Sequence, residues 1–400
     1  MRLLVVVSRN PFPPRTGSSI VAYNCMKYLS KSHSLSLVCL QSAKDSVEVP
    51  GFAESAEFVY HRQVPRSVRI WRRRFDKLGG IPSSVSDVQS KAMIVKVREA
   101  IERGNFDAIL LFEMNAIQYC PPSWYHKIVV NIEDPPSIKL SRITELPIWS
   151  SWQRLNLSLV AQITKHYEKQ HLPGMGKVIL LSEADMQDMQ EQGGYDNLGV
   201  VSYGIDKTPE NNILSYESRT EGMIVYSGNM FHPPNVDGAL YFLENIFPIV
   251  LQEYSTATLW IVGTDPDIRI RKKATRFGEH VVITGRVDQV SEYLRRARVS
   301  ICPVRLKIGC QTKILEALSC GTPVVTTSAG NSGIQGSSGK ELWVEDEPIA
   351  FASRVVALLR GENWRGLSEE GRRLVEARFS WERSGMALEQ HLRGVQKAID

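Results

Sequence analysis

Cysteine is scarce and scattered in this 400-residue chain: six in all, at Cys25, Cys39, Cys120, Cys302, Cys310 and Cys320, with no C-x-x-C pair. The spacing excludes the disulfide framework of a small secreted scaffold and reads as reduced thiols in a cytoplasmic protein. The paired Cys or His ligands of a zinc site are missing as well, so no metal is expected. No apolar run approaches the roughly 18 residues that a membrane-spanning helix needs. The opening MRLLVVVSRNPFPP has too short an apolar stretch for a signal peptide, lacks a small-residue cleavage site, and reads as a first strand. Solenoid-type repeats and low-complexity tracts are absent. So is G-x-G-x-x-G, which counts against a dehydrogenase. Nor does one sign of charge dominate: 48 Lys+Arg against 43 Asp+Glu leave +5, short of a dedicated nucleic-acid binder.

What is present is an ordinary globular composition, 43% hydrophobic and 23% charged, on a chain long enough for two domains. Short runs rich in Val, Ile and Leu alternate with helical patterns: Leu3–Val7, Leu35–Leu40, Ala108–Phe112, Lys127–Ile132 and Lys177–Leu181. A second series follows at Met223–Gly228, Ala257–Gly263, Val281–Gly285, Val299–Val304 and Thr322–Thr327. Continuous apolar strands separated by helices predict parallel sheets covered on both faces. The fold class is therefore α/β, two doubly wound Rossmann-like domains. Apolar periodicity fails between Gly204 and Gly222, which sets the domains at residues 1–205 and 206–379. In open parallel sheets ligands bind beyond the carboxyl ends of the strands, so two such domains are expected to face each other across a ligand cleft.

Two loops stand out. After the first strand, SRNPFPPRTGSSIVAYNCMKYL brings Gly17 and Ser18 to the start of an amphipathic helix, where free N–H groups can hold an anion; a turn capped by Ser18 or Ser19 is the plainer alternative. Near the C-terminus, VSICPVRLKIGCQTKILEALSCGTPVVTT reads as strand, Gly309-containing loop, helix opening at Gln311 to Lys313, a stop at Gly321, and strand. A lysine in a first helical turn opposes the helix dipole, a conflict that an anion seated there resolves. Glu316 lies at i, i+3 from Lys313 and at i, i+4 from Thr312, placed to accept hydrogen bonds from ribose hydroxyls; an ordinary surface Lys–Glu pair is the alternative.

The segment KILEALSCGTPVV resembles the donor-site signature K-x-L-E-A-x-x-x-G-x-P-V-V of GT-B glycosyltransferases, specifically retaining glycosyltransferase family 4. VVSYGID, VYSGNMFHPPNVDGALYF, LWIVGTDP and VVITGRVDQVSEYLRRARVSICP occur in that family's order, and FSWERSGMALEQ is similar to its C-terminal helix. The resemblance implies a GT-B fold in which residues 380–400 cross back onto the N-terminal domain. It further implies a nucleotide-sugar donor, used as substrate rather than cofactor, bound by the C-terminal half. The loop role falls to Gly309, Cys310, Gln311 and Thr312, and the leaving-group and ribose roles to Lys313 and Glu316, the candidate catalytic pair. Arg286 and Val287 would meet the nucleobase, Gly228 and Asn229 form the glycine turn after the domain's first strand, and Gly17 with Ser18 closes over the diphosphate.

This chain departs from the family at two places. Ile308 stands where many members place a second Glu on the hexose, and Asn229, Met230 and His232 stand where many carry an Arg and a Lys. The remaining cations are Lys313 and the candidates Arg305 and Lys307. The expected reaction moves a sugar to a hydroxyl or other nucleophile of a small-molecule, glycan or lipid-linked acceptor, with retention and without a metal ion. An epimerase or pseudo-glycosyltransferase on the same scaffold, and a non-catalytic nucleotide-binding protein, are the alternatives. Acceptor-side candidates are Glu113 in LLFEMN and Asp134 in NIEDPPS, each just past a strand, with loop capping as their simpler role. Residues 66–80, RSVRIWRRRFDKLGG, form a basic amphipathic segment suited to peripheral contact with a membrane or to docking on the domain core.

Overall fold

The computed structural model describes residues 1–42, 51–61, 68, 72–73 and 76–398. The chain divides into two compact units. One comprises Met1–Ser141, Ser151–Gly204 and Trp381–Asp400; the other comprises Arg142–Ser150 and Ile205–Ser380. The short piece Arg142–Ser150 belongs to the second unit although its sequence neighbours belong to the first, a detour with no signature in the apolar pattern.

The first unit holds β1 (Arg2–Val7), β2 (Ser34–Ser42), β3 (Ser55–His61), β4 (Ala108–Phe112), β5 (Ile128–Glu133), β6 (Lys177–Leu180) and β7 (Leu198–Val200). They form one parallel sheet in the order β3-β2-β1-β4-β5-β6-β7. β1 and β4 are buried on both faces, which is why their sequences run as unbroken Leu, Val and Ile. One face is covered by the helix Gly17–Leu29 through Val21, Ala22, Cys25, Met26 and Leu29. The C-terminal helix Trp381–Lys397 packs on that helix so closely that any side chain at Gly385 would overlap the Tyr28 ring.

The second unit holds β8 (Thr220–Ser227), β9 (Thr258–Val262), β10 (Val281–Gly285), β11 (Ala297–Cys302), β12 (Val324–Thr326) and β13 (Trp343–Val344). Its order is β10-β9-β8-β11-β12-β13, again all parallel. Both units are thus doubly wound α/β domains. The strand order reverses between β1 and β4 in one and between β8 and β11 in the other, and the crevice at each reversal is where ligands bind in such sheets. Three strands not anticipated from the sequence, β3, β7 and β13, all lie at sheet edges. An edge strand is covered less completely and does not need a continuous apolar run, although β10, also at an edge, carries a short one.

Among the described residues all six cysteines are free thiols, and no helix is long and apolar enough to cross a membrane. Within the basic segment 66–80, Arg66, Arg69, Trp71, Arg74 and Phe75 lie outside the described residues. Of the rest, Arg72 bonds Gln89, Arg73 pairs with Asp87, and Lys77 donates to Asn156 at 3.0 Å.

One buried guanidinium ties the second unit together. Arg219, 4% exposed, donates from Nη1 to the carbonyls of Leu294 (3.2 Å) and Ala297 (2.8 Å) and to the Thr322 hydroxyl (2.7 Å). Its Nη2 donates to the carbonyls of Cys320 (3.0 Å) and Gly321 (3.1 Å), and its plane stacks 4.7 Å from the Trp364 ring. Burial pulls its pKa down to about 10. Cys320 and Gly321 end the helix Thr312–Ser319, so a cation sits at the negative end of that helix and fixes its position against β11. Arg219→Met removes these five hydrogen bonds, although Leu294 O still accepts from Thr322 Oγ1 and Gly321 O from Ser368 Oγ, and is expected to destabilise the second unit by roughly 3 kcal/mol or more. The check is the urea midpoint followed by fluorescence; an unchanged midpoint would show that the guanidinium is dispensable.

Candidate functional site

At the carboxyl edge of the second sheet, β8, β9 and β10 each end in a glycine: Gly228, Gly263 and Gly285. Gly228 N donates to Val262 O at 3.0 Å and Gly263 N to Gly285 O at 3.1 Å, stacking the three turns. A Cβ on Gly263, at φ +149°, would fall 1.7 Å from the Gly228 carbonyl oxygen, so no other residue fits. The turn continues through Asn229 into the helix Pro233–Tyr241, where Asn235 donates from Nδ2 to Asn229 O at 2.9 Å.

Across the strand-order reversal, β11 leads into the loop 303–311 and the helix Thr312–Ser319. Gly309 takes φ +52°, which lets the loop turn back toward the helix start. Gln311 is the N-cap residue, but its side chain does not cap; its amide donates to Ile308 O at 3.0 Å. With no side-chain cap and no acid in the first turn, and with the Ile314 amide already donating to Gln311 O at 2.9 Å, the N–H groups of Thr312 and Lys313 are the ones left for another acceptor. The loop is held from below: a Cβ on Gly333 would fall 2.4 Å from Gly309 O, and Thr327 Oγ1 donates to Val304 O.

Lys313 joins the two sides. Its side chain is buried, its Nζ donates to Asn235 Oδ1 and lies 5.2 Å from the centre of the Tyr226 ring, and a Cβ on Gly228 would meet Asn235 Nδ2 at 3.0 Å and the lysine Cε and Nζ at 3.4 and 3.5 Å. Among the described residues it has no ion-pair partner. Burial lowers its pKa, opposed by Cys302 and Glu316. An ammonium in such surroundings costs several kcal/mol unless an anion offsets it. Glu316 lies one turn on, half-buried, its carboxylate without a hydrogen bond among the described residues; burial pushes its pKa up to about 7, against the opposing pull of Lys313. Gly228, Asn229, Gly309, Cys310, Gln311, Thr312, Lys313 and Glu316 therefore all lie at the reversal of one sheet. Arg286 lies at the neighbouring β10 end, where it and Gly285 line an open groove of about 580 Å³ with Phe231, Ile268 and Arg271; Val287 follows directly.

Two candidates take other roles. Arg305, considered above as a cation for the leaving group, is bound through two hydrogen bonds to the buried Asp237 carboxylate at 2.9 and 2.6 Å. Ile308 is 6% exposed, an apolar residue folded into the loop. Asn235, which holds Lys313, was not singled out from the sequence; an asparagine within a PPNVD helix start carries no spacing signal.

The first unit presents carboxylates at the matching edge of its own sheet. Glu113 follows β4 and Glu133 ends β5, at φ +69° and +64°, conformations that cost a non-glycine residue about 1–3 kcal/mol and so mark a constrained site. Glu113 Oε2 accepts from Ser8 Oγ (3.0 Å) and Asn115 Nδ2 (3.1 Å); Glu133 Oε2 accepts from Ser18 Oγ (2.9 Å). Burial first, then the nearby Asp134, pushes the Glu133 pKa up to about 7. Asp134 itself pairs with Lys139 at 2.7 Å. Thr16 is the N-cap of the helix Gly17–Leu29 and Ser19 closes a capping box by accepting from the Thr16 amide at 2.8 Å, and a Cβ on Gly17 would meet nothing within 4 Å.

Comparison with known proteins adds three findings. Residues 221–361 match the family model described as glycosyl transferases group 1. An uncharacterized 44.6 kDa protein in the cps region of Klebsiella pneumoniae is 24% identical over 139 residues; the match covers 33% of this chain and only 36% of that relative's length. Among solved structures, the chain is similar to sucrose-phosphate synthase from Thermosynechococcus elongatus (TM-score 0.73, 15% identity, all of both chains). It is also similar to Anabaena Alr3699/HepE, solved with UDP and glucose (TM-score 0.63, 14% identity, 98% of this chain and 99% of that one).

The folded state holds the Glu316 proton up to about pH 7, whereas an unfolded carboxyl releases it near 4.5. Its ionised form therefore weakens the fold progressively as pH rises between those values. Glu316→Gln is expected to raise stability at pH 8 by about 1–3 kcal/mol, with the gain vanishing toward pH 4.5. Urea midpoints at the two pH values provide the check, and a variant less stable than the wild type at pH 8 would contradict the assignment.

Proposed function

The chain has the GT-B fold and its residues 221–361 match glycosyl transferases group 1, and we propose that it transfers a sugar from a nucleoside-diphosphate donor to an acceptor hydroxyl. One observation carries the proposal: the buried Lys313 ammonium, which among the described residues has a neutral amide and the Tyr226 ring but no ion-pair partner, lies at a helix N-terminus without a side-chain cap. An anion is what that arrangement lacks, and a diphosphate supplies it. The loop amides of Gly309 to Thr312 and the turn at Gly228 and Asn229 hold the diphosphate. Lys313 stabilises the charge that develops on it as the bond to the sugar breaks. Glu316, without a hydrogen bond among the described residues, accepts from the ribose hydroxyls, and Gly285 to Val287 meet the base beside Phe231. Uridine is the first base to test, because Alr3699/HepE was solved with UDP.

The first unit takes the acceptor. Glu113 and Glu133 each keep one carboxylate oxygen unbonded among the described residues and suit an acceptor hydroxyl, while Asp134 is neutralised by Lys139. Gly17, where a Cβ would meet nothing within 4 Å, and Ser18 are assigned to the donor only by the resemblance to family 4. Retention, and the use of Lys313 and helix amides in place of a metal ion, rest on the resemblance of KILEALSCGTPVV to family 4. A glycan or lipid-linked acceptor and a cytoplasmic location belong to the same proposal. Ile308 favours a second reading, in which the missing carboxylate changes sugar handling and the protein is an epimerase or pseudo-glycosyltransferase.

Incubation with UDP-, GDP-, ADP- and dTDP-sugars and a cell extract is expected to release nucleoside diphosphate together with a glycosylated product, unaffected by EDTA. Lys313→Met is expected to slow that release by at least about 100-fold, as loss of a charge-stabilising group does. An isomerised sugar nucleotide without acceptor would establish the epimerase instead. Thermal stabilisation without turnover of any donor would mark a nucleotide-binding protein with no transferase activity.

A further inference from the structure

Residues Arg142–Ser150 are a piece of the second unit although the chain on either side of them belongs to the first. The piece has structure of its own: Ile143 and Leu146 are buried, the Leu146 amide donates to Ile143 O at 3.3 Å, and Trp149 Nε1 donates to the same carbonyl at 2.8 Å. Two hydrogen bonds tie it to the carboxyl edge of the second sheet. Arg142 Nη1 donates to Lys307 O at 2.6 Å, and Arg269 Nη1 donates to Ile148 O at 3.1 Å. Arg269 is itself fixed by two hydrogen bonds to the side chain of Asp267, which caps the helix Ile268–Ala274 and lines the groove beside Gly285 and Arg286. The piece therefore runs from the loop 303–311 to the wall of that groove.

The first tie falls at the part of the loop that has to be aimed. Leu306 and Ile308, both buried, anchor the loop by their side chains, and the Gln311 amide takes the Ile308 carbonyl. The carbonyl just before it, that of Lys307, is the one Arg142 holds. Gly309 follows at φ +52°, and a glycine imposes no direction of its own, so the amides beyond it are aimed only as well as the peptides before it are fixed. A hydrogen bond from a guanidinium to a main-chain carbonyl is charge-assisted, and so among the stronger ways to fix one. A loop ordered in advance also loses less conformational freedom when ligand arrives.

We propose that Arg142 is a positioning residue for the donor: through the Lys307 carbonyl it holds the loop so that the amides from Gly309 to Thr312 converge on the diphosphate. Residues 142–150 are then a working part of the donor site. The proposal rests on the reading of those amides as the diphosphate seat, and the test separates the two. It is calorimetric titration of the full chain with UDP and with uridine. Arg142→Met, which keeps most of the stem and removes the donor, is expected to weaken UDP at least about fivefold and to change uridine less than about twofold, because the base groove does not depend on the loop. Arg142→Lys, which keeps a charged donor, is expected to bind UDP more tightly than Arg142→Met. The UDP loss is expected to persist at about 1 M salt, where direct charge contacts are screened. Unchanged UDP affinity in Arg142→Met, or an equal loss for uridine, would overturn the proposal and leave the seat standing. A loss that disappears at the higher salt would overturn it too, since Arg142 would then meet the diphosphate as a charge and not through the loop. A wild type that binds UDP no more tightly than uridine would instead remove the seat, and the proposal with it.

Discussion

A cation buried beside a neutral partner is the constraint around which the second unit is organised. Lys313 is in the first turn of a helix, where the backbone dipole is already positive, and its ammonium meets an asparagine oxygen rather than a carboxylate. Such a placement is unfavourable by itself and survives because the surroundings fix it. Asn235 is held in turn by the Asn229 carbonyl, Gly228 leaves room for the lysine stem, and Arg219 grips the other end of the same helix through Cys320 and Gly321. The helix is thus pinned at its negative end by a buried guanidinium and left open at its positive end. The stability forgone at Lys313 and Glu316 is a feature of binding sites, whose polar groups are satisfied only when ligand arrives.

The first unit carries strain of a different kind at the same topological position. Glu113 directly after β4 and Glu133 at the end of β5 both take positive φ, and the Glu113 amide donates to Asn131 O at 2.9 Å, locking one turn to the other. Ser18 reaches Glu133 from the start of the helix after β1, so the carboxylates are held from two elements. Positive φ at non-glycine residues concentrates where side chains must be aimed, and here both residues aimed are carboxylates.

Much of this was legible in the sequence, for physical reasons that can be named. Central parallel strands are buried on both faces, so β1 and β4 announce themselves as apolar runs, and β5, β8 and β11 as runs with few polar interruptions. The edge strands β3, β7 and β13 do not, since one edge is uncovered and polar residues are tolerated. The loop and helix from Gly309 to Ser319 were readable as structure because a helix start with Gly309 before it, Lys313 in its first turn and Gly321 after it combines local signals. Asn235, Glu133 and Arg219 were not readable. Each acts through a partner distant in sequence, Lys313 at 78 positions, Ser18 at 115, Cys320 at 101, and no local pattern encodes that. Arg305 illustrates the converse: its place in the loop suggested a phosphate ligand, but Asp237, 68 residues away, claims it.

The central claim, that the open helix end with Lys313 seats a diphosphate, is tested most directly by calorimetric titration of the wild-type protein with UDP, UMP and uridine at one pH and salt. Affinity should fall by at least about tenfold from UDP to UMP and again to uridine, because each step removes charge from the position facing Lys313. Equal affinities for UDP and uridine, with measurable binding of both, would mean that the nucleotide is held by its base and ribose alone and would contradict the account.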